Sequence, residues 1–315
     1  MRIGLCLPQE WQNDHIDPAE AYETMTRIAQ EAEALGFDSI WLFEHFHSSR
    51  APYPKERMLF ECWISTAALA RDTRRIRIGQ LVTCNSFRNP ALLAKMASTV
   101  DVLSHGRLDL GLGAGWYEAE YLSYGYPFPD TPTRLRQLRE ALQILKIMWT
   151  EDEATFEGKH YQLRGAINQP KGVQKPHIPI LIGGKGEQVT LKLVAHYGDA
   201  CNFTHPSPEE MTHKFALLRR YCEDIGRDSQ EVRRTIFVNG CIGETDAKVT
   251  EKAAKLPKKF TLDHLRTRGL LGTPTIVRQR LQEMERLGVQ EVIISLPDVI
   301  DSATLQLLAQ CRSRL

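Results

Sequence analysis

No two cysteines in this chain stand at Cys-x-x-Cys spacing, although it has seven of them in 315 residues. Cys6, Cys62, Cys84, Cys201, Cys222, Cys241 and Cys311 are scattered and odd in number. That argues against a disulfide framework and a thiolate zinc site, and points to a reducing cytoplasm. Charge of either sign is not in excess. Forty Lys and Arg face 39 Asp and Glu, a net charge of +1, so no global field draws the chain to nucleic acid or a membrane surface. No apolar run is long enough to span a bilayer. Met1-Arg2-Ile3-Gly4-Leu5 passes at once into a strand-like run, without the apolar stretch and cleavage site of a signal peptide. Internal repeats of roughly 20–50 residues and low-complexity segments are also missing. What remains has the composition of a soluble globular protein, 42% hydrophobic and 25% charged.

What is present is an alternation. A capping residue followed by proline recurs at Asp17-Pro18, Asn89-Pro90, Thr131-Pro132, Ser207-Pro208 and Thr273-Pro274. The side-chain oxygen caps a free N–H, and proline sits where no N–H is needed. Glu20 and Glu210 are placed to complete capping boxes. Behind these starts the apolar spacing is helical, as in Met25, Ile28, Ala32 and Leu35, or Leu135, Leu138, Leu142, Leu145 and Trp149, or Leu281, Met284 and Leu287. Gly36, Gly226 and Gly288 read as helix stops. Between the helices lie aliphatic runs at 2–7, 39–43, 76–83, 108–112, 178–182, 200–203, 235–239 and 291–295. Eight such runs fit a (β/α)8 TIM barrel of parallel strands better than an open doubly wound sheet. The rhythm breaks twice, after strands 4 and 7. Residues 151–177 contain the strand-like "ATFEGKHYQL", and 244–272 contain the basic "KLPKKFTLDHLRTRGLLG". Both read as insertions in one domain spanning 1–315.

In such a barrel the chemistry sits at the carboxyl ends of the strands. The second strand ends in "FEHFH", placing Glu44, His45 and His47 there. Histidine titrates near the operating pH, so His45 is the candidate general acid or base. A metal pair with His47 lacks further ligands at recognisable spacing, so no metal is expected. The third strand ends in "LVTCNSFRNP" and the fourth in "GLGAGWYEAEY", whose Glu118 and Glu120 suit either a helix start or a site above the barrel. "GLGAG" matches a dinucleotide fingerprint only superficially. The loop Gly183-Gly184-Lys185-Gly186 follows a strand and precedes a helix, a context in which N–H groups hold a phosphate. The basic run, with Lys255, Lys258, Lys259, Arg266 and Arg268 against Asp263, is either a solvated face or a seat for an anionic ligand. His105, His160, His196, His205 and His264 read as surface or structural.

These residues resemble the bacterial-luciferase-like flavin and deazaflavin oxidoreductases. The resemblance runs from "RIGLCLP" to "EVIISLP", and is carried by "ALGFDSIWLFEHF", "RIRIGQLVTCNSFRNPALLAKMASTVDVLSHGRLDLGLGAGWYEAEY" and "PHIPILIGGKGEQVTLKLVAHYGDACNF". Within that superfamily the chain looks most like the branch using coenzyme F420, a 5-deazaflavin, with FMN as the alternative cofactor. The resemblance implies that His45 lies beside the reactive edge of the ring, with Glu44 next to it. It implies a non-proline cis peptide at Leu81–Val82, making a bulge behind the ring, with Leu81, Val82, Thr83 and Cys84 among the cofactor-binding residues. It also implies that Ala114, Gly115 and Trp116 lie over the ring and its side chain, and that Gly183 to Gly186 form the phosphate loop. Homodimerisation follows from the same likeness.

The family's sugar-phosphate dehydrogenases carry a glutamate where Trp116 stands and a tryptophan near Ser49, and this chain has neither. Oxidation of a sugar phosphate is therefore not expected, and Trp116 suits an apolar wall for a small-molecule substrate. The expected function is hydride transfer between F420 and an organic substrate, with His45 as acid–base and Glu120 as a second catalytic candidate. The alternatives are a reduced-FMN monooxygenase using O2 and a non-catalytic flavin-binding barrel subunit.

Overall fold

Strands whose outward residues are aliphatic, and whose inward residues are small, polar or, at Trp41, Leu181 and Ile293, large and apolar, build the frame. They are β1 (Arg2–Cys6), β2 (Ser39–Leu42), β3 (Arg77–Gln80), β4 (Leu108–Gly113), β5 (Ile180–Gly183), β6 (Ala200–Thr204), β7 (Arg233–Ile242) and β8 (Glu291–Ser295). The structure, a computed structural model, describes residues 1–11, 16–48, 56–256 and 261–312. Each strand pairs in parallel with its successor, as in Gly4 with Ser39, Ser39 with Arg77, Ile78 with Leu108 and Leu110 with Ile180. Pairing of Arg2 with Glu291 closes the ring. The sheet is the expected eight-stranded barrel.

The helices α1 (Pro18–Ala34), α2 (Cys62–Asp72), α3 (Pro90–Leu103), α4 (Thr131–Thr150), α5 (Thr190–Tyr197), α6 (Pro208–Glu223), α7 (Pro274–Arg286) and α8 (Ser302–Gln310) lie outside it. Their apolar stripes bury against the aliphatic outer face of the strands, with Met25, Ile28, Leu138, Leu142, Leu145, Leu281 and Met284 all in that shell. Burial of each such side chain contributes about 1.5–3 kcal/mol.

The proline code is obeyed unevenly. Asp17 and Asn89 cap as expected, and Ser207 with Glu210 forms a full capping box. Glu20 forms no such box, because only Asp17 contributes, accepting from the N–H groups of Ala19 and Glu20. The cap of α4 is Asp130, not Thr131, which is already the first helical residue. Thr273 makes no side-chain cap bond.

The barrel interior is filled in layers. At the amino end Arg77 Nε reaches Asp109 Oδ2 at 2.7 Å, and Arg233 lies 3.3 Å from Asp109 and 3.1 Å from Glu291. Burial pushes the Asp109 carboxyl up, but Arg233 and Arg77 outweigh it and hold the group below the ordinary range. Burial raises Glu291 against the pull of Arg233 and the Ser39 hydroxyl. Above this plug Trp41 spans the middle, and a Cβ on Gly79 would lie 2.5 Å from its ring. Trp41, Leu181, Ala200 and Ile293 then form an apolar floor beneath the carboxyl end.

Two strand expectations need correction. The third run is not continuous over 76–83. It breaks after Gln80, the Leu81–Val82 peptide is cis, and pairing to β4 resumes at Thr83–Cys84. The seventh run is longer than 235–239, because its end also pairs with Leu270–Gly272. The segment after α4 forms an antiparallel hairpin, Ala154–Glu157 with Gln162–Ala166, as its composition suggests. The second excursion contains helices Asp246–Ala254 and Leu262–Arg268, and Lys258 and Lys259 lie outside the described residues, as does Ser49.

Candidate active site

A cavity of about 380 Å³ opens at the carboxyl end of the barrel, above that floor. Its size suits a small organic ligand or cofactor. Glu44, His45, Leu81, Val82, Thr83, Cys84, Ala114, Gly115, Trp116, Glu120, Gly183 and Gly184 line it, so the structure brings nearly every candidate together. Lys185 and Gly186 are not among the lining residues. The Gly184 N–H donates to the Asn202 carbonyl at 3.3 Å, and the Lys185 carbonyl accepts from Lys214 Nζ at 3.0 Å.

His45 leaves the end of β2 in the first loop residues, where the chain stops pairing. Its Nδ1 lies 3.1 Å from Oε2 of Glu120, which comes from the short helix Glu118–Ser123 after β4. The other carboxylate oxygen accepts the N–H groups of Phe46 at 2.6 Å and His47 at 3.4 Å. Glu120 is 1% exposed, so this one side chain pins the whole loop carrying His45. With Glu120 as the acceptor, Nδ1 carries the proton, and the ring, whose Nε2 shares no protein partner among the described residues, lines the cavity. Both readings of Glu120 thus hold at once: it opens a helix and it reaches the site.

Glu44 points the other way. One oxygen accepts the Cys84 N–H at 2.6 Å, and the other lies 2.8 Å from Arg88 Nη1. Burial raises this carboxyl, while Arg88 and the Cys84 N–H pull it back down. The pair ties the end of β2 to the end of β3. Arg88 had no separate signal in the sequence beyond its place in "SFRNP", and its role appears only from its partner.

The floor of the cavity is shaped by missing side chains. A Cβ on Gly183 would lie 2.9 Å from Cγ1 of Val82, and one on Gly113 would lie 2.8 Å from its Cγ2. The two glycines leave room for the Leu81–Val82 bulge to enter the mouth. Gly115, at φ +77, brings the backbone against the Tyr121 hydroxyl. That hydroxyl lies 2.9 Å from Cys84 Sγ, and burial pushes the thiol up to about 11, so it stays protonated at neutral pH.

Aromatic rings form the rim. Trp116 stands edge-on to His45 with centroids 6.0 Å apart, and lies 5.2 Å from the Tyr117 ring. His47 turns to Tyr117 and to Ser123 Oγ rather than joining His45 on a metal. Among the described residues no group of three His, Cys, Asp or Glu could hold a metal ion. His205, read as surface or structural, directly follows β6 at φ +48, with Nε2 3.2 Å from Asn239 and its ring 5.2 Å from the cavity-lining Phe237. A positive φ at a histidine leaves no mark in sequence. Arg268 from the basic run is paired with Glu210 at 2.5 Å.

The model of the luciferase-like monooxygenase family matches residues 1–263. An F420-dependent glucose-6-phosphate dehydrogenase of Kineococcus radiotolerans is 31% identical over 229 residues, 71% of this chain and 65% of that protein. The oxygenase component of a flavin-dependent trigonelline monooxygenase of Acinetobacter baylyi is 26% identical over 331 residues, 92% of this chain and 88% of that one. Among solved structures, an F420-dependent secondary alcohol dehydrogenase in complex with an F420–acetone adduct has the same fold. It aligns with a TM-score of 0.82 at 20% identity over 99% of both chains.

Proposed function

The chain belongs to the luciferase-like monooxygenase family, and from that premise we propose that it transfers hydride between coenzyme F420 and a small organic substrate, with His45 as the acid–base group. It is an oxidoreductase that depends on F420 or a flavin. The observation that carries the finer reading is the Glu120–His45 pair at the edge of a cavity whose floor is cleared by Gly113 and Gly183.

The residues present fit a flat tricyclic ring. The floor is backbone and the Val82 side chain, in a cradle that a Cβ at either glycine would fill. Phe43, Leu81, Ala114 and Phe237 give the walls apolar surface. Backbone around Gly183 and Gly184, with Thr190 at the start of α5, is the candidate seat for the phosphate. When bound, the ring supplies the hydride chemistry, and the protein supplies position and a proton path. Glu120 holds His45 by Nδ1, which fixes the ring's orientation. Nε2 then gives a proton to, or takes one from, a substrate heteroatom. The buried Glu44–Arg88 pair keeps the loop bearing His45 against the β3 end.

A reduced-FMN monooxygenase using O2 is the second reading, supported by the length of the match to the trigonelline enzyme. The cytoplasmic setting and the homodimer belong to the first reading. All seven cysteines are buried and free, which accords with a reducing compartment.

The test of His45 is turnover by His45→Ala with reduced cofactor and a panel of ketone and enone acceptors. Loss of a general acid or base lowers the rate by on the order of 100-fold, with cofactor binding retained. Unchanged turnover removes His45 from the mechanism. A variant inert with every acceptor, beside a wild type equally inert, favours a non-catalytic subunit.

A further inference from the structure

The polar side chains that line the cavity are largely engaged inside the protein. Thr83 Oγ1 accepts from Trp63 Nε1 at 3.1 Å, and Asn202 Nδ2 donates to Thr235 Oγ1 at 2.8 Å. The Tyr121 hydroxyl meets Cys84, Glu44 meets Arg88, and Glu120 meets His45. Among the described residues no lysine or arginine lines the cavity. A polyhydroxylated or anionic substrate needs convergent donors and cations, since each buried polar group left unpaired costs affinity. This wall offers no such cation among the described residues, and beyond the engaged groups only the hydroxyls of Tyr117, Thr190 and Thr204.

What it offers instead is aromatic surface. Trp116 is 64% exposed and stands on the His45 side of the mouth, while Trp11, Trp41, Trp63 and Trp149 are buried. Tyr117 backs it, with the two rings 34° apart. An exposed tryptophan beside His45, whose ring lines the cavity, gives a substrate a flat face to lie on and a titratable polar point next to it.

We infer that the substrate is an uncharged, planar aromatic or conjugated molecule that lies against Trp116 and presents one polar reacting group to His45. This rests on the oxidoreductase reading of the same cavity. It separates the chain from sugar-phosphate chemistry, which the name of the Kineococcus relative would otherwise suggest.

The test is calorimetric titration of the cofactor-loaded protein with 2-acetylnaphthalene, 2-naphthoate and glucose 6-phosphate. The expected result is saturable binding of 2-acetylnaphthalene, about ten-fold tighter than 2-naphthoate, with no detectable binding of glucose 6-phosphate. Trp116→Ala weakens 2-acetylnaphthalene about ten-fold, and Trp116→Phe restores most of the affinity. Trp116 is on the surface, so the fold is not at stake in either variant. Equal affinity for 2-naphthoate, binding of glucose 6-phosphate, or an unchanged affinity in Trp116→Ala overturns the inference. The two readings fail separately. Absence of F420 and FMN binding sinks the oxidoreductase reading, whereas a loaded enzyme that prefers glucose 6-phosphate sinks only the substrate class.

Discussion

At the scale of single residues, the site depends on pairs that the chain brings together from far apart. His45 was legible because a strand-like run ends in it, and Glu120 because it sits in an acidic, aromatic stretch. Their bond, across 75 positions, was not, since nothing local encodes it. The charged plug inside the barrel was equally hidden. Arg77, Asp109, Arg233 and Glu291 occupy inward positions at the amino ends of four strands, and their sequence neighbours look like ordinary strand residues. Asp109→Asn leaves two arginines without their shared carboxylate, which costs about 3–5 kcal/mol at neutral pH. The sign of the pH dependence follows from the lowered Asp109 pKa. Its contribution is complete above the ordinary carboxylate value and is lost as pH falls through the folded value. Urea unfolding of wild type and variant should therefore differ most near pH 7 and converge in acid. A gap that persists unchanged at pH 2–3 contradicts this assignment.

At the scale of elements, glycine placement links strand geometry to the site. Gly113 and Gly183 end β4 and β5 facing Val82, so each gap at the barrel mouth is matched to the bulge from β3. Gly183→Val puts branched carbon where Val82 already stands and where the cofactor ring is proposed to lie. We expect it to weaken flavin or F420 binding at least about ten-fold while far-ultraviolet circular dichroism stays native. An unchanged dissociation constant would show that the ring lies elsewhere. The strand and helix order was legible from periodicity, because parallel strands buried on their outer face read as aliphatic runs. Ends were less so. The cap of α4 fell one residue earlier than its Thr-Pro signal, since the preceding Asp130 is itself a strong cap and accepts the Thr133 N–H at 2.8 Å. By periodicity the third run reads as unbroken, since Leu81 and Val82 continue its apolar pattern. The break there was legible only through the family resemblance, which implied the cis peptide at Leu81–Val82 that the structure contains.

At the scale of the molecule, the eight-run count yields a closed barrel, and the barrel decides where chemistry can occur. The amino half of the interior is plugged by charge and by Trp41, and the cavity that gathers the candidate residues opens at the carboxyl end. Length and alternation made that architecture readable. Closure itself comes from the Arg2–Glu291 register, which joins the two ends of the chain and has no local signature. No helix among the described residues is long and apolar enough to cross a membrane.

The most direct test of the central claim is an anaerobic binding titration of the purified protein with coenzyme F420 and with FMN, each oxidised and reduced. The account predicts saturable binding of F420, about ten-fold or more tighter than either form of FMN. Selective binding of reduced FMN, followed by oxygen consumption, would contradict it and make the chain a monooxygenase.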